Sequence, residues 1–209
     1  MVRSSNSRER LLEAADALMY ARGYEAVSVA DLCEAADARK GSFYHWWPSK
    51  RDLALAMIDR AWQRNLEFVF EPIFDTDDPV LEKFTNYADR LADGLIESLK
   101  STGHVAGCRY GNFAVELSTR DSVIREKVAA TFQKIAAYFE QAIRDGIRAG
   151  ELADDVDAED TATAILSLME GHMVLAKAQN DPEALRRLAR DTVRLLVGNG
   201  YANEKRRPH

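Results

Sequence analysis

The residues of this sequence best suited to contact a polyanion lie in one short stretch, from Arg39 to Lys50. It reads Arg-Lys-Gly-Ser-Phe-Tyr-His-Trp-Trp-Pro-Ser-Lys and combines basic and hydroxyl groups with large aromatic rings. At about 3.6 residues per turn, a helix here would have one polar side and one apolar side. The polar side holds Lys40, Gly41, Tyr44 and His45, and the apolar side holds Phe43, Trp46 and Trp47. Two interpretations follow, a nucleic-acid contact helix or an ordinary solvated surface.

Two predicted helices upstream complete a helix-turn-helix, which favours DNA contact. The first covers Arg8–Arg22 and ends at Gly23, a residue suited to the left-handed backbone that follows many helices. The second begins at Ser28, an N-cap with Asp31 at the capping-box position. The predicted DNA contacts are Ser28, Arg39, Lys40, Gly41, Ser42, Tyr44, His45 and Lys50. Within this set Lys50 is assigned to phosphate, and Arg39, Lys40 and Tyr44 to base edges or the adjacent backbone.

From residue 8 to residue 57 the sequence resembles the TetR family of bacterial transcriptional regulators. The resemblance rests on Ala21-Arg22-Gly23-Tyr24, Ser28-Val29-Ala30-Asp31-Leu32, Lys40-Gly41-Ser42-Phe43-Tyr44-His45 and Pro48-Ser49-Lys50. The chain departs from the family pattern at Asp37, where the turn usually has Gly, at Arg39, and at Trp46-Trp47, where Tyr-Phe is usual. Asp tolerates a left-handed backbone less well than Gly, so the turn is expected to form at some cost in stability. Arg39 is expected to alter the base preference.

Apolar periodicity over the rest of the chain predicts an all-α protein. Residues 1–50 are predicted to form the helix-turn-helix domain, 51–201 a helical effector-binding and dimerisation domain, and 202–209 a polar tail. A long helix from Ser49 to Phe70, ended by Pro72, is expected to join the two domains. Further helices are predicted at Leu81–Leu99, Gly111–Ser118, Ser122–Ala149, Ala158–Gln179 and Pro182–Val197.

Charge and cysteine usage limit the class of protein. The formal net charge is −6, but residues 1–65 hold 10 Lys and Arg against 9 Asp and Glu, which leaves 18 against 25 for the remainder. The N-terminal part is therefore weakly basic, and we expect a positive patch with salt-dependent binding. With 2 cysteines, no signal peptide and no apolar span, we expect a cytoplasmic protein that does not enter a membrane. We find no motif for a cofactor or a metal ion.

The TetR resemblance implies a ligand cavity among the middle helices. Polar groups at Arg109, Tyr110, Asn112 and Glu116 match a largely apolar pocket with a few orienting contacts. The predicted ligand-binding residues are Trp62, Phe68, Tyr87, Cys108, Arg109, Tyr110, Asn112, Phe113 and Glu116. The expected effector is small and largely apolar, with any carboxylate held by Arg109. In the alternative, Arg109 pairs with a surface acid and the pocket lies elsewhere. Cys108 is either a reactive thiol near a helix start or a packing residue.

The same resemblance implies that the last two helices of two subunits form a four-helix dimer interface. These helices carry more apolar surface than one small domain needs, and a partner can cover the excess. The predicted interface residues are Ile165, Met169, Gly171, Met173, Leu188 and Leu195. The expected function is a homodimeric repressor, not an enzyme, released from double-stranded inverted-repeat operator DNA by a small effector. The alternatives are a small Cys-dependent helical enzyme, a thiol-sensing variant of the regulator, and a helical adaptor that binds only protein.

Overall fold

A computed structural model describes the backbone of residues 2–193 and the side chains of residues 7–187 and 191. Over that range the chain forms α-helices and one π-helical turn, and it has no strand. The helices are α1 (Val2–Arg22), α2 (Val29–Ala35), α3 (Lys40–Trp46), α4 (Lys50–Asn65), α5 (Glu71–Phe74), α6 (Val80–Thr102), α7 (Arg109–Leu117), α8 (Ser122–Arg148), α9 (Ala158–Gln179) and α10 (Pro182–Val193). The all-α prediction is confirmed. No helix within the described range combines the length and apolar character that crossing a bilayer requires.

The chain divides into two compact units. Unit 1 contains the residues up to Gln63 together with Arg109–Thr131, and unit 2 contains Arg64–Cys108 and the residues from Phe132 onward. Most of α4 and all of α7 therefore belong with the N-terminal helices, which differs from the division predicted at residue 50. The polar tail predicted at 202–209 lies outside the described residues.

In unit 1, short-range signals set the ends of the helices. Ser28 and Asp31 form a capping box at the start of α2, as predicted. Gly23 after α1 and Asp37 after α2 have positive φ angles, +87° and +44°. The Arg10 guanidinium donates to the Asp37 carbonyl at 2.9 Å, which helps to hold a turn that Asp forms less readily than Gly. The core of this unit includes Leu11, Leu12, Ala15, Met19, Val27, Leu32, Cys33, Phe43, Trp47, Leu53 and Ile58.

Unit 2 is built around a cluster of aromatic rings contributed by the π-helical turn, α5, α6 and α8. Neighbouring ring centroids in this cluster lie 5.0 to 6.2 Å apart. The rings belong to Phe70, Phe74, Phe84, Tyr87, Tyr138 and Phe139. Lys83 is buried beside them, and its ammonium donates to the carbonyls of Phe74 and Thr76 at 3.0 and 2.7 Å. Helix α10 packs against both α6 and α9.

Pro72 does not end the connecting helix, which corrects the sequence prediction. The chain runs helically from Lys50 through a π-helical turn at Leu66–Phe70 into α5, which ends at Phe74. Pro72 occupies the first turn of α5. The π-helical turn interrupts the regular i→i−4 hydrogen-bond ladder just before Pro72, which lets the helix continue past a residue without a backbone N–H.

Candidate functional site

Helix α3 has one exposed polar face and one buried aromatic face. Tyr44 is 55% exposed, whereas Phe43 is fully buried and Trp47 is 5% exposed. Lys40, Gly41 and His45 are exposed with Tyr44, and Ser42 and Trp46 are half-buried. The structure thus confirms the two faces that the sequence predicted. DNA contact by the exposed face remains a prediction.

Contacts on the buried face fix the orientation of α3. The Trp46 indole N–H donates to the buried Ser7 hydroxyl of α1 at 3.3 Å. The Phe43 and Trp47 rings lie 6.0 Å apart, and the Arg8 guanidinium lies 5.7 Å from the Trp47 ring centroid. Because α3 is short, these tertiary contacts rather than helix propensity hold it in place.

Gly41 leaves open space at the exposed face. A Cβ atom built at Gly41 would meet no heavy atom within 4 Å. The protein therefore has no packing reason for a glycine at this position. Glycine lowers helix stability, and it allows the backbone to approach a bulky ligand closely. A DNA phosphate backbone packed against Gly41 would explain why a glycine stands at an exposed helical position that the protein's own packing does not require.

Lys50 has a role that the sequence did not predict. Its ammonium donates to the carbonyls of Tyr24 and Val27, both at 2.9 Å, and lies 4.0 Å from the Tyr24 ring centroid. Lys50 thereby ties the start of α4 to the loop between α1 and α2. Its predicted phosphate contact has to be made alongside these bonds and remains a prediction.

Replacing Lys50 with methionine should lower the free energy of unfolding by about 2 kcal/mol, because two carbonyls lose a charged donor. Urea denaturation of the full chain measures the change. Lys100→Met is the matched control, since Lys100 is an exposed lysine of α6. Equal stabilities of the two variants would show that the Lys50 bonds contribute nothing.

Ser28 acts first as a helix cap. Its hydroxyl donates to the Asp31 carboxylate at 2.7 Å and accepts from the Asp31 backbone N–H at 3.1 Å. The hydrogen bonds from the Ser28 side chain and backbone lower the pKa of Asp31. The box fixes where α2 begins, and the DNA contact predicted for Ser28 is untested.

Helix α7 uses its polar residues to contact the N-terminal helices. Arg109 pairs with Asp16 of α1, and its guanidinium lies 4.1 Å from the Tyr20 ring centroid. The Glu116 carboxylate accepts from the backbone N–H groups of Tyr24 and Glu25 at 2.9 and 2.7 Å. These contacts support the alternative in which Arg109 pairs with a surface acid rather than with a ligand.

A narrow crevice in unit 1 is lined by residues of α1, α4 and α7. Its cavity volume is about 20 Å³, which holds about one water molecule. Predicted ligand-binding residues in its lining are Arg109, Tyr110, Asn112, Phe113 and Glu116. A crevice of this volume has no room for an effector.

Two family models match the chain in its two parts. Residues 11–57 match the model described as bacterial regulatory proteins, tetR family, and residues 89–192 match the tetracyclin repressor-like C-terminal domain. The chain belongs to the TetR family. The first match contains all of α2 and α3.

Relatives extend the likeness along the TetR-family chain. The repressor DhaR of Mycobacterium sp. (strain GP1) is 26% identical over 85% of this chain and 86% of that protein. The transcriptional regulator AcuR of Cereibacter sphaeroides is 27% identical over 93% of this chain and 87% of that protein. The reduced form of Escherichia coli NemR has the same fold, with a TM-score of 0.77 and 21% identity over 92% of this chain and 98% of that one. The relatives are transcriptional regulators and not enzymes.

The remaining ligand-binding residues predicted for this TetR-family chain are distributed over both units. Trp62 is buried in unit 1, at 7% exposure. Tyr87 belongs to the aromatic cluster of unit 2, while Phe68 is 52% exposed and borders an open groove with Glu67 and Asp89. Sequence spacing predicted residue types suited to a pocket but not their separate locations.

In unit 2, Cys108 lies next to Glu170 of α9. The half-buried Cys108 thiol forms a hydrogen bond with the Glu170 carboxylate. Burial raises the pKa of Glu170, and the bond from Cys108 partly offsets that rise. Burial also lowers the pKa of His172. Glu170 thus lies against the segment that precedes α7.

Helix α9 has an exposed apolar stripe that differs from the predicted one. Ile165, Met169 and Met173, which the sequence predicts at a subunit interface, are buried within the chain itself, at 0%, 1% and 5% exposure. The neighbouring Leu168, Val174 and Leu175 are exposed together with Gly171. Leu195 and the side chain of Leu188 lie outside the described residues.

Proposed function

We propose that this TetR-family regulator is a homodimeric repressor that releases an inverted-repeat operator when it binds a small, largely apolar effector. The observation that carries the proposal is the exposed face of α3. Lys40, Gly41 and Tyr44 are accessible on that face, while buried aromatic side chains on the opposite face hold the helix in place. Residues 1–50 read DNA, and the larger helical part binds the effector and the second subunit. Two of its relatives, DhaR and NemR, are repressors, which supports repression rather than activation. Such a protein acts in the cytoplasm.

DNA recognition requires two copies of α3. A single helix-turn-helix domain offers too little surface for tight specific binding. A symmetric dimer reads two half-sites about one helical turn apart. Arg39 and Lys40 supply charge, and Tyr44 and His45 supply hydrogen-bonding groups at base edges or on the backbone.

The exposed stripe of α9 supports dimerisation. Leu168, Gly171 and Leu175 recur at helical spacing, and Val174 widens the stripe. An apolar helix face of this kind is stabilised when a symmetric partner covers it. Gly171 at its centre allows the two helices to approach closely.

The interior of unit 2 supports an apolar effector. A cluster of aromatic rings lies in its apolar core, and Tyr87 and Tyr138 bring hydroxyl groups to that cluster. A ligand that favours the released state by about 1–3 kcal/mol is enough to shift repression 5- to 150-fold.

Thiol sensing is a second candidate, favoured by the Cys108–Glu170 pair. Cys108 is half-buried at the point where the chain enters α7, and the relative NemR is known in a reduced form. A modified Cys108 would lose its bond to Glu170 and leave a buried carboxylate without that donor.

N-Ethylmaleimide tests this second candidate. The reagent should release wild-type protein from operator DNA and should fail with Cys108→Ser. Cys33→Ser is the matched control, because burial raises the pKa of the Cys33 thiol and keeps it protonated. Release of Cys108→Ser by the reagent would exclude Cys108 as the sensor.

Gel-shift with the DNA flanking its own gene tests the main proposal. We expect a discrete complex at moderate salt that excess unrelated duplex does not displace. Folded protein that forms no specific complex with this DNA would contradict repression at its own gene.

A further inference from the structure

The loop from Gly23 to Ser28 is held from two sides by opposite charges. On one side, Glu116 of α7 accepts the N–H groups of Tyr24 and Glu25 at 2.9 and 2.7 Å. On the other, Lys50 of α4 donates to the carbonyls of Tyr24 and Val27 at 2.9 Å. The backbone of Tyr24 is therefore fixed at both its N–H and its carbonyl by charged groups from different helices.

Gly23 fits this arrangement closely. Its φ angle is +87°, and an added Cβ would lie 3.2 Å from one Glu116 carboxylate oxygen and 3.3 Å from the other. Any larger residue in place of Gly23 would be strained at this positive φ angle, and its Cβ would also displace the Glu116 carboxylate. The glycine that ends α1 thus makes room for Glu116 as well as for the turn.

Three residues of α7 contact α1 or the loop that follows it. Arg109 pairs with Asp16 at the first residue of α7, and the Phe113 ring packs edge-on against Tyr24 with centroids 6.3 Å apart. Glu116 completes the attachment near the other end. The chain enters α7 directly from Cys108, the last residue of that segment of unit 2.

The loop determines how α2 and α3 are presented. It ends at Ser28, which caps α2, and α2 packs against both α1 and α3. A loop that is free to move at Tyr24 and Glu25 would leave the start of α2 unconstrained. Charge-assisted bonds to two consecutive N–H groups are strong enough to prevent that.

We propose that Glu116 is a positioning residue for operator binding, which holds the loop before α2 from α7 and thereby orients α3. The inference rests on the proposed function, because it takes α3 as the element that reads DNA. Glu116 orients α3 without touching DNA, because phosphate groups would repel its carboxylate.

The test compares Glu116→Gln with wild type on a duplex that the wild-type protein has selected from a randomised pool. A glutamine side chain can accept only through its one oxygen, and its NH₂ group opposes the second N–H. We expect about tenfold weaker operator binding, within the range of ordinary couplings between sites. The dependence of affinity on salt should be unchanged, because no cation–phosphate contact is lost.

Glu126→Gln is the matched control. Glu126 is an exposed carboxylate of α8 in the same unit, and the variant makes the same change in net charge. Removing a negative charge alone strengthens DNA binding, so the two variants should change the affinity in opposite directions. Glu116→Asp keeps the charge at a shorter reach and should also weaken binding.

Amide hydrogen exchange gives an independent reading on the full chain. The Tyr24 and Glu25 amides should exchange faster in Glu116→Gln and at the wild-type rate in Glu126→Gln. Wild-type operator affinity in folded Glu116→Gln would overturn the positioning role even if the variant melts earlier. Failure of the wild-type protein to select any duplex would instead overturn the proposed function, and the positioning role with it.

Discussion

Replacing Lys40 and Tyr44 together with alanine should weaken operator binding at least about hundredfold, because each side chain is expected to contribute about 1–3 kcal/mol in each of two subunits. Both side chains are exposed on α3, and neither belongs to its buried face. The variant should therefore keep the wild-type unfolding midpoint. Fluorescence anisotropy with a labelled operator duplex measures the affinity.

Lys100→Ala is the control for loss of one exposed positive charge, since Lys100 lies on α6 in unit 2. It should change operator affinity by less than about twofold, because its charge is screened at a distance from the DNA. Equal loss in the control and in the α3 variant would show that general charge, and not α3, governs binding.

Replacing Gly171 with leucine should raise the dimer dissociation constant at least about hundredfold by separating two closely packed helices. In the single chain, a Cβ at Gly171 would meet no atom within 4 Å, so the leucine does not disturb the subunit itself. Helix propensity favours leucine over glycine by close to 1 kcal/mol, and the subunit should not lose stability. Mass measurement in solution at nanomolar concentration reports the change.

Gly94→Leu is a matched control in the same unit. Gly94 is also an exposed helical glycine with open space around it, but it lies on α6. We expect the Gly94 variant to remain dimeric. A dimer of unchanged stability in Gly171→Leu would place the subunit interface away from the exposed stripe of α9.

Local patterns predicted much of the N-terminal structure. The Ser28 capping box, the positive φ angle at Gly23, and the two faces of α3 each depend on residues close together in the sequence. Caps, turns and amphipathic periodicity are short-range effects, so one sequence is enough to find them.

The contacts that the sequence missed join residues far apart along the chain. Glu116 and Tyr24 are 92 positions apart, Arg109 and Asp16 are 93, and Lys50 and Tyr24 are 26. Charge and hydrogen-bonding capacity identify such residues as polar but do not select their partners. The sequence therefore predicts a ligand contact for Glu116 and a phosphate contact for Lys50, and it leaves Arg109 between a ligand and a surface acid, although each has a partner within unit 1.

Helix α9 shows a different limit of periodicity. It is apolar on more than one side, and its pattern cannot say which stripe faces the chain's own core. Ile165 and Leu168 are close in sequence, yet one is fully buried and the other is 40% exposed. The prediction of a second apolar surface stands, and only the packing of the whole unit shows which residues form it.

Selection of duplexes from a randomised pool by the wild-type protein tests the central claim most directly. A dimer that presents two α3 helices should enrich an inverted repeat with half-sites centred about 34–36 Å apart, or a multiple of that distance. Enrichment should disappear with the Lys40 and Tyr44 double variant. A pool without an enriched sequence, or one enriched only in a single unrepeated site, would contradict a dimeric operator-binding regulator.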